Sequence, residues 1–255
     1  MNYSDFLIAI PAYRCEIQIR RVIHGLARIQ SELSEVKSVV IFDNQSTDAT
    51  FEEAEKQIQE DQLQAWVSIR KNKTNLGLGG TQKAAFDFAR KEKYSHVIIF
   101  HGDDQGEVSD IPRVISELKL GSDAVLGSRF MKGAKRPGYS SLRVFGNRVL
   151  NGLYSILTWR HIEDLGSGLN GFKISSLEPK FYKNFSNQFV FNMDLLLYLV
   201  QSRSKFKFIP ITWRELDQVS NARTLTVGWQ AFKVLIYWRL SWCALKIKRS
   251  KISDV

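Results

Sequence analysis

The chain has 255 residues, 44% hydrophobic and 24% charged, enough to bury a real core in one large α/β domain or two small ones. Its two cysteines, Cys15 and Cys243, lie far apart without Cys/His ligand spacing, which excludes a disulfide framework and a structural zinc site. The formal charge of +10 is concentrated late: from Arg203 onward, eleven Lys and Arg face only Glu215, Asp217 and Asp254.

The opening "MNYSDFLIAIPAYR" lacks a basic leader, a long apolar run and a small-residue cleavage site, so it reads as the first strand, over residues 6–10, of a cytoplasmic protein. A helix follows Cys15, with Ile19, Ile23 and Leu26 on one face. Next come a strand over 38–42, a helix started by Thr47 or Asp48, a strand over 66–70 and a helix over 80–92. A strand over 97–100 leads to a helix with Pro112 in its first turn, then a strand over 123–126. Strands alternating with helices imply right-handed crossovers and a mainly parallel sheet, with ligands gathered at the carboxyl ends of strands.

The second half is less regular. It carries a helix over 140–158, a Gly-rich "GSGLNGFKI", an apolar helix over 192–200 and a strand within "FKFIPITWRE". The expected division is a domain over 1–225 and a basic, Trp-rich amphipathic C-terminal helix over 226–255. There Trp229, Phe232, Tyr237, Trp238 and Trp242 alternate with cations, a pattern that suits a membrane interface, packing on the chain's own domain, or a partner subunit. Lys233, Arg239 and Lys246 interrupt each apolar run, which argues against a spanning helix, and no nucleic-acid motif accompanies the charge.

The residues that carry chemistry follow the expected strands: "IPAYRCE", "FDNQSTDAT", "NKTNLGLGG" and "HGDDQ". Pro11 and Tyr13 offer a rigid turn and an aromatic to a flat base, or only a turn and a packed ring. Gly77, Gly79 and Gly80 let backbone approach a ligand closely ahead of a helix. A dinucleotide fingerprint would follow the first strand instead, and Gln82 stands where its third glycine belongs. Alternation along an extended strand end would place His101, Asp103 and Gln105 on one side and Asp104 on the other. By themselves these residues read as a polar turn or as a metal site, and in a metal site an imidazole suits manganese better than magnesium.

These four motifs, in this order, resemble the family 2 nucleotide-sugar glycosyltransferases of the GT-A fold, and among them the dolichyl- or polyprenyl-phosphate sugar transferases. The resemblance covers residues 6 to about 225. It implies a Rossmann-like sheet whose donor pocket takes Pro11, Tyr13, Glu16, Asp43, Asn75 and Gly79, with Asn44 where a second acid is frequent. It implies that His101, Asp103 and Gln105 match an Asp-x-Asp-x-Gln clamp holding a divalent ion, Mn2+ or Mg2+, against the donor diphosphate. Arg214 and Arg223 then contact that diphosphate, although the usual Lys after Ser220 is missing. Arg129, Arg143 and Asn147 match positions that hold an acceptor phosphate, with Ser167 nearby. Asp164 matches an acid that serves as base or orients metal or acceptor. A phosphate monoester, with its second pKa of about 6, needs little deprotonation near neutrality.

The implied activity is inverting transfer of a sugar from a UDP- or GDP-sugar to a polyprenyl phosphate, by a protein peripheral to the cytoplasmic membrane face. Two rivals remain: a family 2 enzyme that glycosylates a sugar hydroxyl, and a non-catalytic nucleotide-sugar-binding subunit in which His101 and Asn44 mark lost chemistry. A membrane partner subunit or a homo-oligomer is compatible with each.

Overall fold

The computed structural model describes residues 5–217 and 224–253. Seven strands form one sheet: β1 (Phe6–Ala12), β2 (Val36–Asp43), β3 (Val67–Lys71), β4 (His96–Phe100), β5 (Ala124–Ser128), β6 (Leu169–Lys173) and β7 (Phe206–Pro210). Their order across the sheet is β3-β2-β1-β4-β6-β5-β7. All neighbours are parallel except β6, which runs antiparallel to both β4 and β5. The helices are α1 (Glu16–Ile29), α2 (Thr50–Glu60), α3 (Gly77–Lys91), α4 (Ile111–Lys119), α5 (Ser141–Thr158), α6 (Pro179–Tyr182), α7 (Phe191–Gln201) and α8 (Thr224–Ser253).

The central strand is apolar on both faces, as a sheet covered on both sides requires. Phe6, Ile8 and Ile10 of β1 meet Ile19, Ile23 and Leu26 of α1 and Val114 of α4. Leu7 and Ala9 point the other way, toward Ala85 and Phe86 of α3 and Leu195 and Leu199 of α7. All five strands expected in the first half are present, with ends shifted by one or two residues. β1 continues through Pro11 because its pairing with β4 stops at Ala9 and Ile99. Pro11, lacking an N–H, sits where that ladder has ended, while pairing to β2 persists to Ala12 and Asp43.

The Gly-rich stretch conceals β6. A Cβ on Gly171 would stand 2.5 Å from Val114 Cγ1, so α4 lies directly on the strand and only glycine fits there. The last helix is part of the body. Ala231 and Leu235 are buried, and Tyr154 Oη of α5 donates to the Ala231 carbonyl at 2.8 Å. A boundary at 225/226 therefore cuts the first turn of α8. Among the described residues no helix is long and apolar enough to cross a membrane. Arg223 and the side chains of Trp242 and Lys246 lie outside the described residues.

One buried group makes the core acid-sensitive. His96 stacks on Phe6 with ring centroids 4.5 Å apart, and its Nδ1 lies 2.8 Å from Ser95 Oγ. Burial first, and the Lys173 charge second, push its pKa from 6.5 down to about 4. The unfolded chain thus takes up this proton before the native state does. The stability His96 supports is intact above pH 6.5 and lost between there and about pH 4, amounting to about 3 kcal/mol. Urea unfolding across this window is expected to show a shallower acid loss in His96→Phe than in the wild type. Equal slopes would mean that His96 is not the titrating group.

Candidate active site

A cleft of about 1400 Å³ opens at the carboxyl ends of the parallel strands, where the motif residues collect. Pro11 and Tyr13, leaving β1, form part of its wall. Arg14 adopts a left-handed backbone (φ 51°), and its N–H donates to Ser46 Oγ at 3.1 Å and its Nε to Thr47 Oγ1 at 3.0 Å. It therefore lines the cleft as a cation that sequence reading passed over. Asp43 is fully buried below. Its Oδ1 accepts the Ser46 N–H at 3.1 Å, while Oδ2 has no hydrogen-bond partner among the described residues and lies 3.9 Å from Lys71 Nζ.

Asn44 also lines the cleft, and it organises the loop opposite. Its Oδ1 accepts the Leu76 N–H at 2.8 Å and Asn72 Nδ2 at 3.1 Å, and its Nδ2 donates to Asn75 Oδ1 at 2.9 Å. Asn75 Oδ1 also accepts the Gly77 N–H at 2.9 Å, so both amides are held in one orientation. A carboxylate at position 44 could not donate to Asn75. The residue that looks like a lost charge is thus a required donor. Gly77, at φ 72°, and Leu78 contribute to the wall. Gly79 does not: a Cβ there would stand 2.6 Å from Phe191 Cβ, so its small size serves the packing of α3 on α7. Glu16 is likewise engaged elsewhere, its Oε2 accepting the Ala49 N–H at 2.9 Å ahead of α2.

Beyond β4 the chain turns rather than extends. Asp104 takes φ 56°, and this reversal, not strand alternation, puts His101, Asp103 and Gln105 together on the cleft wall. Asp104 faces away and pairs with Arg21 at 2.7 Å and Arg214 at 3.5 Å. The Asp103 carboxylate accepts the Gln105 N–H at 3.2 Å. Burial raises the Asp103 pKa against the opposing field of His101, and burial lowers that of His101, which favours a neutral imidazole. His101 Nε2 is buried without a hydrogen-bond partner among the described residues. A neutral, unpartnered ring nitrogen beside a carboxylate and an amide suits a divalent cation. Among the described residues no group of three His, Cys, Asp or Glu gathers to hold a metal. The donor set therefore fits an ion that completes its shell from a diphosphate, not a self-contained protein cage.

The residues matched by resemblance to an acceptor site centre on one ion pair. Arg129 Nε and Nη2 donate to the two Asp164 oxygens, both at 2.8 Å, and the Arg129 backbone N–H adds a third bond at 2.9 Å. The Gly166 N–H supplies a fourth at 3.1 Å, and Arg129 Nη2 returns a bond to the Gly166 carbonyl at 2.9 Å. Burial works to lower the Arg129 pKa, but the charge and hydrogen bonds of Asp164 outweigh it and hold the pKa above its ordinary value. Asp164 is buried and is not on the cleft wall, whereas Arg129 and Ser167 are. With its carboxylate engaged in this way, Asp164 fixes the position of the Arg129 guanidinium.

Arg143 lies on the wall over the Tyr139 ring, 4.7 Å from its centroid, and pairs with Glu215 at 2.6 Å. Its Nε is buried and has no acceptor among the described residues. Asn147, also on the wall, donates to the Arg143 carbonyl at 2.7 Å. Arg214 turns from the cleft to Asp104 and Glu107, the latter at 3.2 Å, and its backbone N–H donates to the Gln105 carbonyl at 2.7 Å. Trp213 and, from α8, Val227, Trp229 and Phe232 complete the wall. Trp229 and Phe232 belonged to the Trp-rich pattern expected at an interface, and nothing local marked any of the four as cleft wall.

A mainly parallel seven-stranded sheet with one reversed strand, flanked by helices and with the cleft at its carboxyl edge, is the GT-A class of α/β fold. The glycosyl transferase family 2 model matches residues 7–178, and the chain belongs to that family. Polyprenol monophosphomannose synthase of Mycolicibacterium smegmatis is 22% identical over 216 residues, which cover 83% of this chain and 78% of that protein. Among solved structures, one described as a mycobacterial protein matches with a TM-score of 0.68 at 16% identity, over 92% of this chain and 74% of the other. Glucosyl-3-phosphoglycerate synthase from Mycobacterium tuberculosis, in complex with Mn2+, uridine diphosphate and phosphoglyceric acid, matches with a TM-score of 0.68 at 14% identity, over 92% and 78%.

Two substitutions test this geometry. Asp164→Asn leaves a buried guanidinium without its counter-ion and is expected to cost about 3–5 kcal/mol in denaturant unfolding. A stable Asp164→Asn protein would remove the anchoring role. Asn44→Asp sets a carboxylate against Asn75 Oδ1 and should cost about 1–3 kcal/mol while raising the donor KM more than it lowers kcat. An unchanged donor KM would separate the amide network from donor binding.

Proposed function

We propose that the protein transfers a sugar from a nucleoside diphosphate donor, UDP- or GDP-linked, to a polyprenyl phosphate at the cytoplasmic face of a membrane. The supporting observation is that the cleft wall combines two chemically different sets of residues with two arginines. One set is polar, with Tyr13, Asn44, Asn75, Asp103 and Gln105. The other forms an apolar gallery of Leu142, Phe145, Leu150, Met193, Val227 and Phe232, and Arg129 and Arg143 are on the same wall. A small anionic acceptor such as phosphoglycerate has no hydrocarbon to fill such a gallery, and neither has a glycan hydroxyl. An isoprenoid chain with a terminal phosphate has both parts.

In this reading the base and ribose sit against Pro11 and Tyr13, and Asp43, buried behind the cleft wall with Oδ2 3.9 Å from Lys71 Nζ, is the acid they would reach by a shift of that wall. His101, Asp103 and Gln105 would hold a divalent cation, Mn2+ or Mg2+, and when bound it neutralises charge on the departing nucleoside diphosphate. Arg129, fixed by Asp164, and Arg143, through its unsatisfied Nε–H, grip the acceptor phosphate. Glu215 gives up Arg143 as that phosphate enters. A phosphate oxygen, largely deprotonated near neutrality, forms the new bond to the anomeric carbon as the bond to the diphosphate oxygen breaks, with inversion. No protein base is required, in keeping with the engagement of Asp164 by Arg129.

The decisive assay pairs labelled UDP- and GDP-sugars with undecaprenyl or dolichyl phosphate. The expected product extracts into organic solvent and is labile to mild acid, and Asp103→Ala lowers its formation about 100-fold or more. A mild-acid-stable glycan product would favour a hydroxyl acceptor instead, and turnover untouched by Asp103→Ala would remove the catalytic assignment. Manganese should support faster transfer than magnesium, and His101→Asp should narrow the gap. Superimposable metal titrations would show that His101 does not set the preference.

A further inference from the structure

The helices that wall the apolar gallery also carry an apolar outer surface. On α5, Leu142, Phe145, Val149 and Ile156 recur at helical spacing on the solvent side, and Trp159 follows at the helix end. Ile156 is 69% and Trp159 83% exposed, values at odds with a core role. On α8, Trp229, Tyr237 and Leu240 stand outward with Lys233 among them. The helices lie side by side: Tyr154 reaches Ala231, and Leu150 Cδ1 lies 3.8 Å from where a Cβ on Gly228 would stand. Both contacts advance in the same chain direction, so the two outer stripes run alongside each other. Leu142, Phe145 and Trp229 belong both to this surface and to the lip of the cleft. A soluble monomer rarely leaves a patch of this kind uncovered.

Charge identifies what covers it. Neither helix contains an Asp or Glu, and none occurs anywhere in residues 124–162. Arg148 and Arg160 on and just beyond α5, and Lys233 on α8, are exposed beside the apolar stripes. A two-fold contact with a second copy would set these cations against themselves. An anionic bilayer takes all three components: aliphatic side chains in the acyl boundary, Trp and Tyr at headgroup depth, and Arg and Lys against lipid phosphates. We propose that the outward faces of α5 and α8 form one membrane-docking surface, seating the cleft mouth on an anionic bilayer. This rests on the lipid-acceptor reading: a phosphate at headgroup level then reaches Arg129 and Arg143 while its chain stays in apolar surroundings.

The test uses the full chain and phosphatidylcholine vesicles made with and without phosphatidylglycerol. Val149 and Ile156 lie outside the cleft wall, and glutamate is a better helix former than either. Wild type should co-sediment with the phosphatidylglycerol vesicles and far less with pure phosphatidylcholine. V149E/I156E should lower that partition about tenfold or more. Its unfolding midpoint and its transfer to a short-chain, water-soluble prenyl phosphate should match the wild type. Equal partition of variant and wild type, or no vesicle binding by either, overturns the proposal. So does a wild-type dimer in light scattering that the variant dissociates. Lipid-linked product without vesicle binding sinks the docking surface alone, and vesicle binding without any lipid-linked product sinks the acceptor reading.

Discussion

The bidentate contact between Arg129 and Asp164 is the constraint on which the rest of the site depends. It joins the exit of β5 to the loop entering β6, two segments far apart in sequence and brought together by the sheet. From that loop the Gly168 carbonyl accepts the His101 N–H at 2.9 Å, so the same tie sets where the β4 turn begins. Gly168 has no room for a side chain, since a Cβ would stand 2.8 Å from His101 Cγ and 2.7 Å from Trp213. Phe130, Tyr139 and Trp213 surround the guanidinium with ring faces at 5.1–5.8 Å from its carbon. Buried this way, the cation is held in one geometry by charge, hydrogen bonds and aromatic contact together.

A second layer of ion pairs fastens the segment after β7. Arg214 reaches Asp104 and Glu107, Arg21 joins Asp104 to Asp217, and Arg143 holds Glu215. These pairs are partly exposed, and each is worth much less than the Arg129 contact. Their arrangement nonetheless matters, because Trp213, Glu215 and Asp217 of this segment line the cleft. Asp104 ties Arg21 and Arg214 together on the side of the β4 turn, and Arg143 of α5 fastens the same segment through Glu215.

The sequence made the sheet legible wherever strands were apolar on both faces. β1, β2 and β4 are runs that could hardly be anything else. β6 was hidden because its defining property is the nearness of α4 to Gly171, a tertiary fact that leaves only a glycine and an asparagine in the sequence. At the cleft, the residue types after each strand pointed to segments that contribute to its wall. Their individual geometry was less accessible: Asp104 and Arg14 depend on left-handed backbone, and Asn44 reads as a missing charge until its partners are seen. Gly79 and Glu16 fitted the motif pattern but are used for packing and for a helix start. The α8 wall had no local signal, since nothing in Val227, Trp229 or Phe232 announces which surface they will meet.

The reversed strand β6 has a consequence for how such a site can change over evolutionary time. In a wholly parallel sheet, only segments leaving strands reach the ligand edge. Because β6 runs the other way, the segment arriving at it, Asp164 to Gly168, is delivered to that edge as well. The cleft wall is thus contributed by two stretches of chain, residues 11–105 and residues 129–232. If the proposed function holds, the nucleotide end lies mainly on the first and the acceptor end on the second. A lineage could then lengthen, shorten or recharge the second stretch while the first stays as it was.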